Sequence, residues 1–329
     1  MTNPTSKRIL GVIKSCTVLA GLGLSIAFTS PMASAAEKVR FAMPTQSWWP
    51  TTIVTAAERL KLFEKEGINP EITIYKGGGP AFEALAADAA DMTIDPPYLV
   101  ALGLPKGINT KIVANGSVVF SGWHLMVPKD SPIQKVADLE GKKVGITANG
   151  SATDFLALWT INSQNVKFTR VAVGGGGLTP NLLTGNIDAA VVYSPVSFQL
   201  VKDGSARSLV NYGTAIEENL NAGWIATEAF IKAKPQAVQG SLNAIYGAVE
   251  YLMNNRDYAI GLIAELNSLP PEVAAMEYEE SIMTVSKDGA ITLEAVQNNL
   301  DYGERGGLTG LAPAKDTFVT QFKPVPTKQ

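Results

Sequence analysis

Short apolar runs alternate along the chain with segments whose apolar residues recur at helical spacing. Runs rich in β-branched residues and bounded by Gly, Pro or Asn are typical of buried strands, and apolar positions three and four apart are typical of helices. The alternation predicts a largely parallel sheet with helices on both faces. It predicts strands over 39–43, 72–75, 92–94, 111–114, 144–146, 168–173, 188–193 and 208–210, with an extended run over 121–128. It predicts helices over 51–66, 82–86, 98–104, 152–159, 178–183, 238–253, 258–266, 271–283 and 293–303, and one that ends near 202.

The stretch over residues 142–159 combines a strand, a tight turn and a helix start. Asn149 and Gly150 tolerate the left-handed backbone of a turn. Ser151 and the acid three residues later form a helix capping box. The free N–H groups of such a start, with the hydroxyls of Ser151 and Thr153, provide a place for an anionic or polar small molecule. Taken alone, the stretch favours a cap that serves only its own helix.

Residues at three other predicted strand ends favour a ligand-binding role over a simple helix cap. Adjacent tryptophans follow the first strand within 47–49, and glycines that allow close approach of a ligand follow the second within 77–80. An aspartate and two prolines follow the third within 95–98, and a further glycine turn covers 174–177. Neither glycine turn has the spacing of a nucleotide P-loop or of a dinucleotide fingerprint. Ligands of open α/β sheets lie at the carboxyl ends of strands, so these loops together predict a ligand site.

Several single residues have structural roles as well as possible ligand roles. We expect at least one of Trp48 and Trp49 to pack in the core, because two adjacent exposed indoles leave much apolar area in water. Tyr98 and Trp123 carry the same ambiguity. His124 is interpreted as a structural residue of the extended run, and the aspartate before the two prolines also suits the beginning of a turn.

The first 35 residues have the features of a secretory signal peptide. Three cationic residues, the last of them Lys14, precede an uncharged apolar run over 16–28. That run is short for a membrane span. An Ala-Ser-Ala site follows, so we predict cleavage after Ala35. Lys14 stands close to Cys16 and breaks the pattern of a lipid-anchor site.

Composition excludes several classes of site. The only cysteine lies in the leader and the only histidine is His124, so a disulfide framework, a cysteine metal site or a His-based triad is hard to build. The leader holds three cations and no acid, so its removal lowers the net charge from −3 to −6. No basic run indicates nucleic acid, and no long apolar stretch follows the leader. We expect a soluble mature protein without a metal, a cofactor or a nucleic-acid partner.

The order and spacing of several segments resemble the periplasmic substrate-binding proteins of ABC importers. The resemblance is to the nitrate, sulfonate and taurine group, which also includes binders of thiamine-pyrimidine precursors. It covers nearly the whole mature chain, and Asp95-Pro96-Pro97 and Gly150-Ser151 are similar to the alkanesulfonate-type members. The segments are VRFAMPTQSWWPTTIVTAAERLKLFEKEGI from residue 39, IYKGGG and EAL within 74–85, DPP at 95–97, DLEGKKVGITANGSATDFL from 138 and LLTGNIDAAVVYSPV from 182.

The resemblance implies an α/β protein with the two-lobed periplasmic-binding-protein fold (type II), in which each lobe is a mostly parallel sheet flanked by helices. Lobe I would comprise 36–122 and 223–329, and lobe II would comprise 123–222. SGWHLMVP and LNAGWIAT would be the two crossing strands. The ligand would lie in the cleft between the lobes, and closure would present a surface to a membrane permease with its ATPase. We expect a periplasmic monomer that is not an enzyme, since ligand capture breaks no bond.

One position departs from the sulfonate-type pattern, because Asp154 stands where histidine is common. Its carboxylate competes with an anionic ligand, and Lys76 is the only cation in the candidate loops. These residues favour an organic ligand with an apolar or aromatic body and one polar head over a small inorganic anion. An amine-bearing ligand, such as a pyrimidine or an aminosulfonate, would use Asp154 or Asp95.

The favoured ligand class from the resemblance is a sulfonate, taurine or nitrate. Alternatives are a binder of a thiamine-precursor pyrimidine or aromatic carboxylate, and a periplasmic sensor with the same ligand grip. An enzyme similar to pyrimidine-precursor synthases is disfavoured by the single histidine and the absence of a mature cysteine. A purely structural protein leaves the strand-end residues without a role. The predicted ligand contacts are Ser47, Trp48, Trp49, Gly78, Gly79, Asp95, Pro96, Tyr98, Trp123, Asn149, Gly150, Ser151, Thr153, Gly176 and Tyr193.

Overall fold

The computed structural model describes residues 36–329. The predicted signal peptide over 1–35, with Cys16, lies outside the described residues. The described strands are β1 (Glu37–Met43), β2 (Ile68–Ile74), β3 (Met92–Asp95), β4 (Thr110–Ser117), β5 (His124–Pro128), β6 (Lys143–Ile146), β7 (Thr169–Ala172), β8 (Ala189–Val192), β9 (Ala206–Asn211) and β10 (Ala222–Thr227).

Helices follow most of these strands. The described α-helices are α1 (Trp49–Arg59), α2 (Leu62–Lys65), α3 (Gly78–Ala86), α4 (Pro97–Gly103), α5 (Ala152–Gln164), α6 (Leu178–Leu183), α7 (Val196–Lys202), α8 (Tyr212–Ala215), α9 (Glu228–Ala233), α10 (Pro235–Asn254), α11 (Arg256–Asn267), α12 (Pro271–Glu280) and α13 (Leu293–Arg305). Of the helices in this part of the chain, none has the length and apolar character needed to cross a bilayer.

The strands form two five-stranded sheets of the same topology. The first sheet has the order β2-β1-β3-β10-β4 and the second has the order β7-β6-β8-β5-β9. In each sheet four strands run in one direction, and β10 or β5 runs antiparallel to both of its neighbours. The predicted α/β fold class, with two mostly parallel sheets flanked by helices, is confirmed.

The chain passes from the first sheet to the second between β4 and β5, and it returns between β9 and β10. The two antiparallel strands, β5 and β10, lie within the segments that the sequence indicated as crossing strands. The lobe limits near residues 122 and 222 stay a prediction.

Burial explains where the apolar runs lie. All four residues of β3 and of β8 are buried, as expected for central strands of sheets covered on both faces. β2 is an edge strand that is mostly exposed, and there Pro70 removes no ladder bond that a neighbour needs. Helices α11, α12 and α13 complete the fold, and α13 packs against both α4 and α5.

Two predicted helices differ from the observed ones. The helix predicted over 51–66 is divided, because Lys61 adopts a left-handed conformation with φ of 58° between α1 and α2. This break turns Leu62 and Phe63 into the core, where each is 1 % exposed. The helix predicted over 271–283 ends at Glu280 and continues as a short 3-10 turn over Ile282–Thr284.

Candidate ligand site

A small cavity, the inner cavity, lies where loops of the first sheet meet loops of the second. Its volume is about 20 Å³, which is room for about one water molecule. A larger ligand therefore enters only if the two sets of loops move apart. The residues that line the inner cavity are Pro44, Thr45, Trp48, Gly78, Asp95, Trp123, Thr147, Ser151, Ala152, Thr153 and Tyr193.

An open groove of about 850 Å³, the outer groove, shares Thr45 and Thr147 with the inner cavity. Its walls include Ser47 and Lys76 from the first-sheet loops and Gly176 from the glycine turn after β7. The shared threonines show that the outer groove adjoins the inner cavity.

The start of α5 forms the second-sheet wall of the inner cavity. Ser151 is the N-cap and its hydroxyl accepts a hydrogen bond from the Asp154 N–H at 3.5 Å. Thr153 Oγ1 accepts from the Thr147 N–H at 2.9 Å, which ties the helix start to the end of β6. The hydroxyls of Thr147, Ser151 and Thr153 also bond to one another at 2.8–2.9 Å. The first N–H groups of a helix have no intrahelical acceptor, so Ala152 and Thr153 are the backbone donors at this wall.

Asp154 does not face the ligand site as a free carboxylate. It forms an ion pair with Arg170 and accepts a hydrogen bond from the Gly150 N–H at 2.9 Å. Its side chain is 6 % exposed, so the pair compensates a buried charge. The sequence hypothesis that Asp154 competes with an anion or serves an amine therefore loses its basis, because Arg170 neutralises the carboxylate.

The adjacent residues Trp48 and Trp49 have different surroundings. The ring centroids of Trp48 and Trp49 lie 5.6 Å apart in an edge arrangement, and Trp48 lies 5.8 Å from Trp123. Trp48 lines the inner cavity, and its indole Nε1 is buried without a hydrogen-bond partner. Trp49 begins α1 and points toward Gly116, where an added Cβ would lie 3.1 Å from its Cη2.

Asp95 ends β3 and is 1 % exposed. Its Oδ2 has no hydrogen-bond partner, and burial raises the pKa of this carboxyl well above its ordinary value. A Cβ added at Gly78 would lie 2.0 Å from Asp95 Oδ1. Glycine at 78 is therefore what allows the start of α3 to approach the carboxyl.

The two remaining unpartnered polar groups are hydroxyls from opposite sheets. Thr45 lies in the loop after β1, and its Oγ1 is buried without a partner. Tyr193 follows β8, and its hydroxyl is also buried without a partner. The Tyr193 ring lies 5.2 Å from that of Trp123. Buried polar groups are normally hydrogen-bonded, so four such groups around one cavity indicate a place for a polar molecule.

The turns that follow β2 and β6 touch each other beside the inner cavity. A Cβ added at Gly79 would lie 2.4 Å from the Asn149 carbonyl oxygen, and one at Gly77 would lie 2.8 Å from Thr147 Oγ1. Gly150 has φ of 74°, and a Cβ added there would lie 3.9 Å from Gly79 Cα. These glycines allow backbones from the two sheets to meet closely.

The structure thus divides the predicted ligand contacts into three groups. Seven line the inner cavity: Trp48, Gly78, Asp95, Trp123, Ser151, Thr153 and Tyr193. Ser47 and Gly176 lie on the outer groove. The others line neither space: Gly79, Asn149 and Gly150 form the contact between turns, Trp49 packs near Gly116, Pro96 caps α4, and Tyr98 stacks on Phe155 at 3.9 Å.

Sequence reasoning missed Thr45 and Thr147 in the inner cavity. Both are hydroxyl residues at strand ends, next to loops that the sequence did indicate. Their position after parallel strands was the signal available.

A second buried carboxyl, Glu277 in α12, was also missed. It is 1 % exposed, and Ser281 donates a hydrogen bond to its Oε2 at 2.8 Å. Ser194, next to Tyr193, lies 2.8 Å from the Ser281 hydroxyl, so the three residues link α12 to the end of β8. Burial raises the pKa of Glu277 to about 8. The available signal was its place on the helix face of Val273, four residues earlier.

Metal ligation has no support in residues 36–329, where no group of three or more His, Cys, Asp or Glu side chains is close enough to hold an ion. His124 faces Ser208, with Nδ1 3.0 Å from the serine hydroxyl. Burial lowers the pKa of His124.

Comparisons with known proteins place the fold and the site in context. A family model described as NMT1/THI5 like matches residues 50–259. A putative aliphatic sulfonates-binding protein of Bacillus subtilis is 26 % identical over 248 residues, which cover 73 % of each chain. A putative thiamine biosynthesis protein of Haemophilus influenzae is 30 % identical over 243 residues, which cover 66 % of this chain and 74 % of the relative.

A solved structure has the same fold. The alkanesulfonate-binding protein SsuA from Xanthomonas axonopodis pv. citri, bound to MOPS, aligns with a TM-score of 0.72 and 18 % identity. The alignment covers 86 % of this chain and 98 % of that one. The predicted resemblance to this group of binding proteins is confirmed.

Proposed function

The chain belongs to the NMT1/THI5-like family, and from that premise we propose that it is the solute-binding component of an ABC importer. It captures a small organic ligand, with a sulfonate as the favoured class, between its two sheets. Its relative in Bacillus subtilis is described as a sulfonates-binding protein.

One observation carries the proposal. Thr45 Oγ1, Trp48 Nε1, Asp95 Oδ2 and Tyr193 OH are all buried without partners around one cavity. Each such group costs free energy unless something bonds to it. The first three come from the first-sheet side and Tyr193 comes from the second, so a ligand that satisfies them holds both sides together.

This arrangement supports binding by closure. We place the ligand between lobe I (36–122 and 223–329) and lobe II (123–222), with the fifteen predicted contacts as its surroundings. A ligand that touches both lobes binds the closed form more tightly and shifts the population toward it. The contact of Gly79 with Asn149 is then part of the closed form.

Location and partner follow from the same proposal. The leader directs the chain to the periplasm, where the monomer delivers its ligand to a membrane permease that works with an ATPase. The closed form presents the surface that the permease recognises.

We propose a role without catalysis. The inner cavity offers one carboxyl and four hydroxyl-bearing side chains besides Tyr193, and it holds no histidine, lysine or cysteine to activate a nucleophile. A second candidate is the binding of a thiamine-precursor pyrimidine. It is favoured by the aromatic walls of Trp48 and Trp123, and it is consistent with the Haemophilus influenzae relative, which is described as a putative thiamine biosynthesis protein.

A thermal-shift panel tests the proposal. It contains alkane- and arylsulfonates, taurine, nitrate, aromatic carboxylates and aminopyrimidines. A ligand at 100 times its Kd adds roughly 2.7 kcal/mol to the free energy of unfolding and raises Tm. Mass spectrometry then shows whether the bound molecule is unchanged, and a chemically altered molecule would indicate an enzyme.

Matched tryptophan variants locate the site. W48F removes the Nε1 donor and keeps an aromatic ring in the inner cavity, so it should weaken the binding of the ligand. W159F changes an indole that packs on Tyr212, 6.1 Å between ring centroids, and should leave the Kd unchanged. Equal affinities of the two variants would contradict the assignment.

A further inference from the structure

The buried carboxyl of Asp95 has one oxygen without a hydrogen-bond partner among residues 36–329. Its carboxyl ends β3 inside the inner cavity, and Oδ2 accepts no hydrogen bond. Across residues 36–329, the salt bridges involve other acids and none reaches Asp95. A buried acid without a cationic partner is rare in folded proteins, and it calls for an explanation.

The walls around this carboxyl are aromatic and carry no positive charge. Trp48, Trp123 and Tyr193 line the same cavity. The ring centroid of Trp123 lies 5.8 Å from that of Trp48 and 5.2 Å from that of Tyr193. The lining contains no Lys, Arg or His. Aromatic faces attract cations through their negative quadrupole, most strongly where water is excluded.

Among the unpartnered polar groups of the inner cavity, hydrogen-bond donors outnumber strong acceptors. Trp48 Nε1, Thr45 Oγ1 and Tyr193 OH supply three donors for an oxygen of a ligand. The carboxyl of Asp95 is the strong acceptor of the set. A protonated carboxyl would only add a fourth donor to the three already present. An ionised carboxylate instead matches a positively charged donor group on the ligand.

We propose that the ligand carries a protonated nitrogen, in an alkylammonium, aminopyrimidine or amidine group, which forms an ion pair with Asp95 in the inner cavity. The inference rests on the proposed function, because it specifies the ligand class of the same site. A ligand oxygen bonds to the three donors, and the nitrogen lies against the carboxylate and the aromatic faces.

Proton release accompanies such binding. Burial raises the pKa of Asp95 well above its ordinary value, and the ion pair requires the ionised carboxylate, so any proton that Asp95 holds in the free protein leaves it on binding. The titratable groups around the cavity do not mask this. The pKa values of Tyr98 and Tyr193 are raised, which keeps both phenols neutral, and Asp154 is paired with Arg170.

Glu277 also titrates near this end of β8, because it is linked through Ser281 to Ser194. Its pKa of about 8 makes it a second possible source of protons near neutral pH. The proton count is therefore measured in the E277Q background as well as in the unmodified protein.

The experiment is isothermal titration calorimetry with matched ligand pairs. The pairs are taurine and ethanesulfonate, 4-aminopyrimidine and pyrimidine, and benzamidine and benzamide. Each titration is run at pH 7 in two buffers of different ionisation enthalpy, which gives the number of protons released. Variants D95N and D130N are compared, since Asn keeps the shape of Asp95 without its charge and Asp130 is an exposed turn residue.

We expect at least one nitrogen-bearing member to bind roughly 30-fold or more tightly than its partner. Taurine and benzamidine are already cations at pH 7, so their binding should release the Asp95 proton to the buffer, whereas 4-aminopyrimidine should take up that proton on its ring nitrogen without net release. D95N should remove that preference and the proton release, and D130N should retain both. The measurement of proton release on the unmodified protein stays informative if D95N does not fold.

Other results overturn the inference. Equal affinity within every pair, or unchanged affinity of D95N, would show that Asp95 pairs with no cation, while the solute-binding function would stand. Absence of binding by all three nitrogen-bearing members would exclude the classes named here. Chemical turnover of a member would contradict the proposed function itself.

Discussion

Replacement of Glu277 by glutamine should remove a specific loss of stability between pH 5 and pH 8. The folded protein keeps Glu277 protonated up to a pKa of about 8, whereas the ordinary value is 4.5. Above pH 4.5 the unfolded chain loses this proton and the folded chain retains it. Folding must then take up a proton, so this group destabilises the fold increasingly as pH rises, and the loss levels off above about pH 8.

The magnitude follows from the shift. Each unit of pKa difference corresponds to about 1.4 kcal/mol, so the full shift costs about 5 kcal/mol, of which about 3 to 4 kcal/mol is lost between pH 5 and pH 8. Glutamine is uncharged at every pH, and its amide oxygen can accept the Ser281 hydrogen bond. Its NH₂ group takes the place of Oε1, which has no partner in the native protein. The stability of the variant relative to the native protein should therefore increase by about 3 to 4 kcal/mol from pH 5 to pH 8.

The assay is urea unfolding of both proteins at pH 5, 6, 7 and 8. The quantity of interest is the difference in the free energy of unfolding at each pH, in which the contributions of other titrating groups cancel if they are independent. E272Q, which changes an exposed acid in the first turn of α12, is the control and should give a nearly flat difference. A flat difference for E277Q would refute the reasoning, because it would mean that Glu277 does not bind more protons in the folded state.

Three further substitutions test the contacts between the sheets. G79A adds a Cβ 2.4 Å from the Asn149 carbonyl, so it should oppose closure and weaken ligand affinity about tenfold in calorimetry, at a cost of about 1–3 kcal/mol. Gly261 lies on α11, and a Cβ added there would have no atom within 4 Å. The G261A control should therefore bind the ligand with an unchanged Kd and unfold at the same or a higher Tm. T153V leaves the Thr147 N–H without its acceptor and should lower unfolding free energy by about 1–3 kcal/mol in urea. Retained affinity in G79A, or native stability in T153V, would contradict these contacts.

Local patterns determined most of the architecture. Strand and helix periodicities, the Ser151 cap and the glycine turns depend on neighbouring residues, so they can be read without knowledge of the fold. The alternation of strands and helices was sufficient for the α/β class, and the order of segments was sufficient for the family. The break at Lys61 was missed, because it is set by the burial of Leu62 and Phe63 rather than by a turn signal.

Only the tertiary structure decided which strand-end residues share a cavity. Trp48 and Trp49 are adjacent in sequence, yet one lines the cavity and the other packs near Gly116. Asp154 and Asp95 were equivalent candidates until Arg170, which lies on β7, proved to neutralise Asp154 in the first turn of α5. Side-chain direction, burial and charge pairing depend on contacts between different elements of the fold, and these contacts arise only when the chain has folded.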